Sequence, residues 1–194
     1  MKKWNELPKV MQNDKVKYYY DILQEHEKEL KLKRAFDIIC SLIMIIILSP
    51  VLIVLSVMIK LDSKGPVLFK QVRVTTYGRK FKIWKFRTMV NNADKLGTQV
   101  TTKGDARITR MGHLLRKVRL DELPQLFNVL KGDMTFVGTR PEVPKYTAHY
   151  TEEMMATFLL PAGVTSRTSI EYKDEEKLLE NAENADEVYI NEVL

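Results

Sequence analysis

The sequence predicts a mainly helical α+β protein, a single domain with a small β-hairpin joined to a long apolar helix that carries a Ser-Pro kink. Three observations lead there. Residues 38–59 contain no charged side chain, and a run of about 20 apolar residues is long enough to cross a bilayer. Residues 67–74 and 80–89 read as two short strands across the turn Thr75-Thr76-Tyr77-Gly78-Arg79. Leu123, Leu126, Phe127 and Leu130 then recur at helical spacing, with Pro124 suited to a first turn and Gly132 to a terminus. A chain of 194 residues is enough for one core. Its expected divisions are a polar helical arm over 1–33, a membrane helix over 34–60 and the main domain over 61–194.

Composition narrows the chemistry. A formal charge of +6 points to anionic partners, whether lipid, phosphorylated substrate or nucleic acid. Cys40 is the single cysteine, so an intramolecular disulfide and a cysteine-rich zinc site are both excluded. His26, His113 and His149 are scattered and argue against a histidine metal site. The opening Met1-Lys2-Lys3-Trp4 lacks the apolar core of a secretory signal.

In the arm, Tyr18-Tyr19-Tyr20 and Ile22-Leu23 offer a modest apolar side, while Glu25, Glu27 and Glu29 mix with Lys28, Lys31, Lys33 and Arg34, the pattern of an exposed, solvated helix. Ser49-Pro50 falls near the middle of the apolar run. Proline removes a helical hydrogen bond there and should halve the helix, while a serine hydroxyl can bond back to the freed carbonyl. Lys31, Lys33 and Arg34 precede the run and Lys60 and Lys64 follow it, so flanking charge sets no orientation. A segment that dips into one leaflet and returns fits both facts. A spanning helix with a tolerated kink fits them equally.

In the second strand Phe81 and Ile83 share a face with Lys85 and Arg87, whereas Lys82 lies with Trp84 and Phe86. Long basic side chains whose stems pack on aromatics suit a surface that meets anionic groups. Residues 91–105 read as a polar loop with Gly97 and Gly104 as hinge positions, and Thr109 can cap a helix bearing Met111, Leu114, Leu115 and Val118 on one side. Pro141 and Pro144 restrict the backbone around Arg140, a stiff setting for a phosphate-binding guanidinium. A further amphipathic helix is expected over 150–160, and the chain turns acidic beyond Ile170.

The stretch with most chemistry in it is Arg116-Lys117-Val118-Arg119-Leu120-Asp121-Glu122-Leu123-Pro124. Two adjacent carboxylates stand among cations at or just before a helix start, where the dipole favours their ionised forms. Neighbouring residues do not face each other, so the pair is poorly placed to share a proton. Most such pairs only cap a helix and keep it soluble; for a catalytic pair, division of labour is the more natural arrangement, in which one carboxylate would attack and the other hold a hard cation such as Mg2+.

From about Lys33 onward the chain resembles the bacterial sugar transferases, monotopic phosphoglycosyl transferases that load lipid carriers. Five motifs in order carry the resemblance over roughly 110 residues. They are Lys33-Arg34-Ala35-Phe36-Asp37 leading to Ser49-Pro50, then Phe81-Lys82-Ile83-Trp84-Lys85-Phe86-Arg87-Thr88-Met89, then Leu120-Asp121-Glu122-Leu123-Pro124-Gln125-Leu126, then Asn128-Val129-Leu130-Lys131-Gly132-Asp133-Met134, and finally Val137-Gly138-Thr139-Arg140-Pro141. The resemblance implies a re-entrant helix at the bacterial inner membrane and a catalytic domain on its cytoplasmic face. It implies transfer of a sugar phosphate from a nucleotide sugar, usually a UDP-sugar, to polyprenyl phosphate, with release of the nucleoside monophosphate. Asp121 would be the nucleophile, Glu122 the Mg2+ ligand, and Lys85, Arg87, Arg116 and Arg140 the substrate-binding cations. Many members have proline where this chain has Thr139, so the loop before Arg140 is expected to be less rigid. Gly163-Val164-Thr165-Ser166 replaces a common Gly-Ile-Thr-Gly, which marks a subgroup. Relatives usually continue past the equivalent of Leu194 into further amphipathic helix, so the chain is expected to stop short.

Two other functions compete, a non-catalytic membrane adaptor that binds anionic lipid or an acidic partner, and a membrane-tethered nucleic-acid binder. Neither has a use for paired carboxylates placed among its cations. No nucleic-acid fold signature accompanies the basic residues, so nucleic acid is not an expected partner.

Overall fold

Helix α1 (Asp14–Glu25) starts where Asn13 accepts the Val16 N–H at 2.9 Å, a side-chain cap for an otherwise unpaired donor. The structure, a computed structural model, describes residues 1–93, 105–167 and 170. The charged residues from Glu25 to Lys33 are exposed as their pattern predicts, but the arm ahead of them is packed onto the domain. Leu7, Met11, Val16 and Tyr20 are buried and pack with Val74, Phe158 and Leu159. Val16, Tyr20 and Leu23 fall at i, i+4 and i+7 beneath the charged surface of α1, and two 3-10 turns, Trp4–Glu6 and Lys9–Met11, lead into or carry Leu7 and Met11. The Tyr19 hydroxyl donates to Glu153 at 2.8 Å, which fastens the same helix to the far end of the chain.

Helix α2 (Glu27–Asp62) runs for 36 residues without interruption through Pro50. The expected halving does not occur. Pro50 has no N–H for the Ile46 carbonyl, and the Ser49 hydroxyl donates to that carbonyl instead at 2.8 Å. The middle of α2 stands clear of the protein, with Ile46, Ile47 and Ile53 all exposed.

Both ends of α2 are fastened to the same domain. At the N-terminal end Arg34 donates to the carbonyls of Val129 and Leu130 at 2.7 and 2.9 Å, and buried Asp37 accepts from the Thr135 hydroxyl at 2.6 Å and the Phe136 N–H at 3.2 Å. At the other end Leu55 and Ile59 pack on Phe86 and Leu115.

Strands β1 (Leu68–Thr75) and β2 (Arg79–Phe86) form the antiparallel hairpin, in register from Leu68 opposite Phe86 to Thr75 opposite Arg79. Pairing stops at Phe86, short of the expected 89, and Met89 bridges to Ile108. The free edge of β2 is completed by a side chain: Asn128 accepts from the Trp84 N–H and donates to the Lys82 carbonyl, both at 2.9 Å. Thr109 caps α3 (Arg110–Lys117) as its sequence predicts, through the Gly112 N–H at 3.0 Å. Of the predicted apolar side of α3 only Leu115 is fully buried, while Leu114 and Val118 remain exposed.

Helix α4 (Gln125–Lys131) ends at Gly132, whose φ of 85° is the left-handed cap that glycine adopts without strain. Its Val129 packs with Met134, Phe81 and Ile83. A second sheet, not foreseen, pairs β3 (Met134–Val137) in parallel with β4 (Ala162–Thr165). The predicted helix over 150–160 is instead a 3-10 turn over Met154–Leu159, preceded by a short α5 (Pro144–Thr147). Thr151 and Thr157 explain this, because their hydroxyls hydrogen-bond to the Met154 N–H and carbonyl and compete with a helical ladder. The hinge positions Gly97 and Gly104 and the acidic stretch beyond Ile170 lie outside the described residues.

Gly138 and Gly163 let two backbones touch where β3 meets β4. A Cβ on Gly163 would stand 2.3 Å from Gly138 N and 2.5 Å from Thr165 O, both main-chain atoms that cannot swing away. Gly163→Ala is therefore expected to destabilise by about 1–3 kcal/mol, the cost of forcing atoms into a packed site. Thermal unfolding checks this, with the midpoint falling by about 2–4 °C per kcal/mol for a chain of this size.

Candidate active site

Arg119 at the end of α3 takes a left-handed conformation, φ 58°, and turns the chain into a 3-10 turn, Leu120–Glu122, ahead of Pro124 and α4. The carboxylates thus stand just before the helix, one of the two places their sequence allows. Asp121 is only 8% exposed, and its Oδ1 is buried without a hydrogen-bond partner. Glu122 is turned differently, and its Oε1 accepts from Lys85 Nζ at 2.7 Å. Lys85 reaches it from β2, so one ion pair joins the hairpin to the turn.

The two carboxylates have unlike surroundings. Burial pushes the Asp121 carboxyl above its usual range, Lys85 and Arg116 pull it back, and Glu122 adds to the rise. The position near a helix start predicts the opposite direction, but desolvation outweighs any dipole so close to a seven-residue helix. A buried carboxylate with an unpartnered oxygen beside an ion-paired one matches a division of roles better than a shared proton.

The structure brings Asp121, Glu122, Lys85 and Arg116 into one group. Arg140 stands on the loop after β3, its Nε 3.5 Å from Glu142 Oε1. Buried Glu142 also faces Arg73, 3.9 Å away, and Arg73 donates to the Pro141 carbonyl at 2.9 Å. These two residues hold the Arg140 loop, and sequence reasoning did not single them out. A glutamate following Arg-Pro was the available sign. Thr139 is tied down as well: its carbonyl accepts the Gly163 N–H at 2.7 Å.

Arg87 is not brought to this group. Its guanidinium is buried against the end of α2 and donates to the carbonyls of Ile59, Ser63 and Lys64 at 3.2, 2.6 and 2.8 Å. Gly65, with φ 132°, makes room for it, since a Cβ there would meet Arg87 Nη1 at 2.0 Å. Arg87 serves as a C-terminal cap for α2, just as Arg34 binds the last carbonyls of α4.

Among the described residues no group of three or more His, Cys, Asp and Glu side chains converges to hold a metal. The donor set on offer is Glu122 with the orphaned oxygen of Asp121. One or two carboxylates with open positions for water and phosphate oxygens are what Mg2+ takes, so these residues fit it.

A family model described as bacterial sugar transferase matches residues 28–194. The chain is 46% identical over 123 residues, 63% of its length, to a UDP-N-acetylgalactosamine-undecaprenyl-phosphate N-acetylgalactosaminephosphotransferase of Aeromonas hydrophila, and spans 29% of that protein. It is 42% identical over 135 residues to a Bacillus subtilis protein provisionally named an undecaprenyl-phosphate N-acetylgalactosaminyl 1-phosphate transferase, with 70% of this chain and 75% of that protein covered. Identity is 40% over 157 residues to the Escherichia coli UDP-glucose:undecaprenyl-phosphate glucose-1-phosphate transferase, with 78% of this chain and 34% of that protein covered. Two of these three relatives are thus much longer, and the chain spans about a third of each. With the match running over nearly all of the chain beyond the arm, the protein belongs to the bacterial sugar transferase family.

Proposed function

We propose that the protein transfers a sugar phosphate from a UDP-sugar to polyprenyl phosphate at a membrane, through a covalent intermediate on Asp121. The observation that carries this reading is the buried Asp121 oxygen without a partner, beside the Lys85–Glu122 ion pair. The names of the relatives support the acceptor and donor classes. In the first step an Asp121 carboxylate oxygen attacks the sugar-bearing phosphorus, the bond from that phosphorus to the bridging oxygen breaks, and UMP leaves. In the second, an oxygen of polyprenyl phosphate attacks the same phosphorus and Asp121 departs as a carboxylate, giving a lipid-linked diphosphosugar. Lys85 and Arg116 would face the phosphoryl oxygens over which charge spreads, where fixed cations lower the barrier. Glu122 would hold Mg2+, which when bound supplies charge neutralisation on the donor phosphates.

Membrane seating follows from α2. Its apolar middle is exposed while Arg34 and Asp37 at one end, and Ile59 and Ser63 at the other, contact one domain. A helix crossing a bilayer separates its ends by about 30 Å of hydrocarbon, so a domain on one side cannot grip both. This supports a re-entrant anchor, with lipid as its partner.

Incubation of the protein with a panel of nucleotide sugars and Mg2+ tests the reading. The expected result is up to one equivalent of nucleoside monophosphate before any lipid acceptor is added, and no release from any donor would reject it. Arg140→Lys keeps the charge but loses the planar two-pronged donor, so it is expected to lower kcat/KM for the donor about tenfold. Unchanged steady-state kinetics would remove Arg140 from the site.

A further inference from the structure

The α2 and α3 surfaces leave an apolar track that the fold itself does not use. Val54, Val57, Met58 and Leu61 lie at i, i+3, i+4 and i+7, one stripe of α2, and all four are exposed. Leu114 and Val118, both exposed, form a second stripe on α3 and on the residue that follows it, and Met111 beside them is half-buried against the cluster that holds Leu115. The stripes meet in a groove of about 570 Å3 lined by Met58, Leu61, Asp62, Arg110, Met111 and Leu114. Asp62 accepts the Met111 N–H at 3.2 Å and so fixes the two helix ends together at its base.

Each end of this track is informative. One end is continuous with the exposed apolar middle of α2, the part that enters the membrane. The other is Val118, three residues before Asp121, within about 11 Å even for extended chain. Bulk lipid needs only a face to wet; a track that leaves the bilayer and stops beside the reacting carboxylate suits a single long chain bearing a phosphate at its head. We infer that this groove seats the isoprenoid chain of the lipid acceptor and delivers its phosphate toward Asp121 from the membrane side. The inference rests on the transfer reading above and adds the acceptor's path to it.

Two full-length variants test it in nanodiscs of fixed lipid composition. Leu61→Ser/Leu114→Ser removes apolar contacts, and Leu114→Trp fills the groove while keeping the surface apolar. Enzyme first labelled with donor is chased with polyprenyl phosphates of long and short chain, and partition to acceptor-free vesicles is measured separately. Both variants are expected to need about tenfold more long-chain acceptor for half-maximal discharge, with short-chain acceptor little affected and the maximal rate retained. Leu114→Trp is also expected to hold vesicle partition at the wild-type level. Unchanged dependence on the long-chain acceptor in both variants would overturn the inference. So would losses that track vesicle partition, because the face then only seats the protein among acyl chains. Absence of labelling in the wild-type protein would be a different failure, one that removes the transfer reading and this inference with it.

Discussion

Asp121→Asn is expected to abolish both the acceptor-independent release of nucleoside monophosphate and the labelled enzyme, a loss of at least about a thousandfold, because the amide is nearly the same size but barely nucleophilic. Glu122→Gln should instead leave some labelling that recovers in part at high Mg2+, as suits a residue that holds a cation and does not attack. The same Asp121 variant should gain stability. Burial raises the folded-state pKa of Asp121 above that of an ordinary aspartate. The folded protein therefore binds this proton more tightly than the unfolded chain. Its stabilising contribution is full below the unfolded pKa and is lost as pH rises through the folded one. At neutral pH the buried carboxylate is a burden that asparagine relieves. Without divalent cations the variant should melt above wild type at pH 7, and the difference should disappear near pH 4. A labelled Asp121→Asn enzyme, or release that waits for the acceptor, would leave direct attack by the lipid phosphate as the better mechanism.

Local signals predicted the parts of this fold that are held locally. Thr109 capping α3, the Gly132 terminus and the turn at Gly78 were all legible, since each depends on a few adjacent residues. Long-range pairing was not. β4 has four residues, Ala162–Thr165, and exists because Gly138 and Gly163 allow β3 to approach. The modest apolar side of the arm was legible, but its docking was not, because the partners Phe158 and Leu159 lie far along the chain. At the site the carboxylate pair and its neighbour Lys85 were legible from motif and charge, but the burial of Asp121 was not, and it reverses the direction expected from the helix start. Arg87 shows the same gap. An arginine on a basic strand reads as a phosphate ligand until the end of α2, 28 residues earlier, is found against it.

With Cys40 replaced by serine, single cysteines at Val10 and Lys64 are expected to label from the same side of sealed vesicles, and one at Ile47 from neither. Val10 and Lys64 are exposed and flank α2, while Ile47 lies in its apolar middle. Proline geometry alone does not carry this expectation, because α2 is helical through Pro50 and Ser49 takes up the carbonyl that Pro50 leaves. The fastening at each end carries it. Hydrogen bonds to charged groups contribute about 1.5–3 kcal/mol each, and among the described residues Arg34, Asp37 and Arg87 together make eight to the domain and to the end of α2. Pro50→Leu by itself should therefore keep both cysteines on one side, although it restores a helical hydrogen bond and makes spanning easier. Adding Asp37→Ala removes the hold of the N-terminal end on Thr135 and Phe136, and a fraction of molecules should then label at position 10 from the opposite face. Opposite labelling of Val10 and Lys64 in the parent protein would show that α2 spans, and the grip of one domain on both its ends could not then be the membrane-bound arrangement.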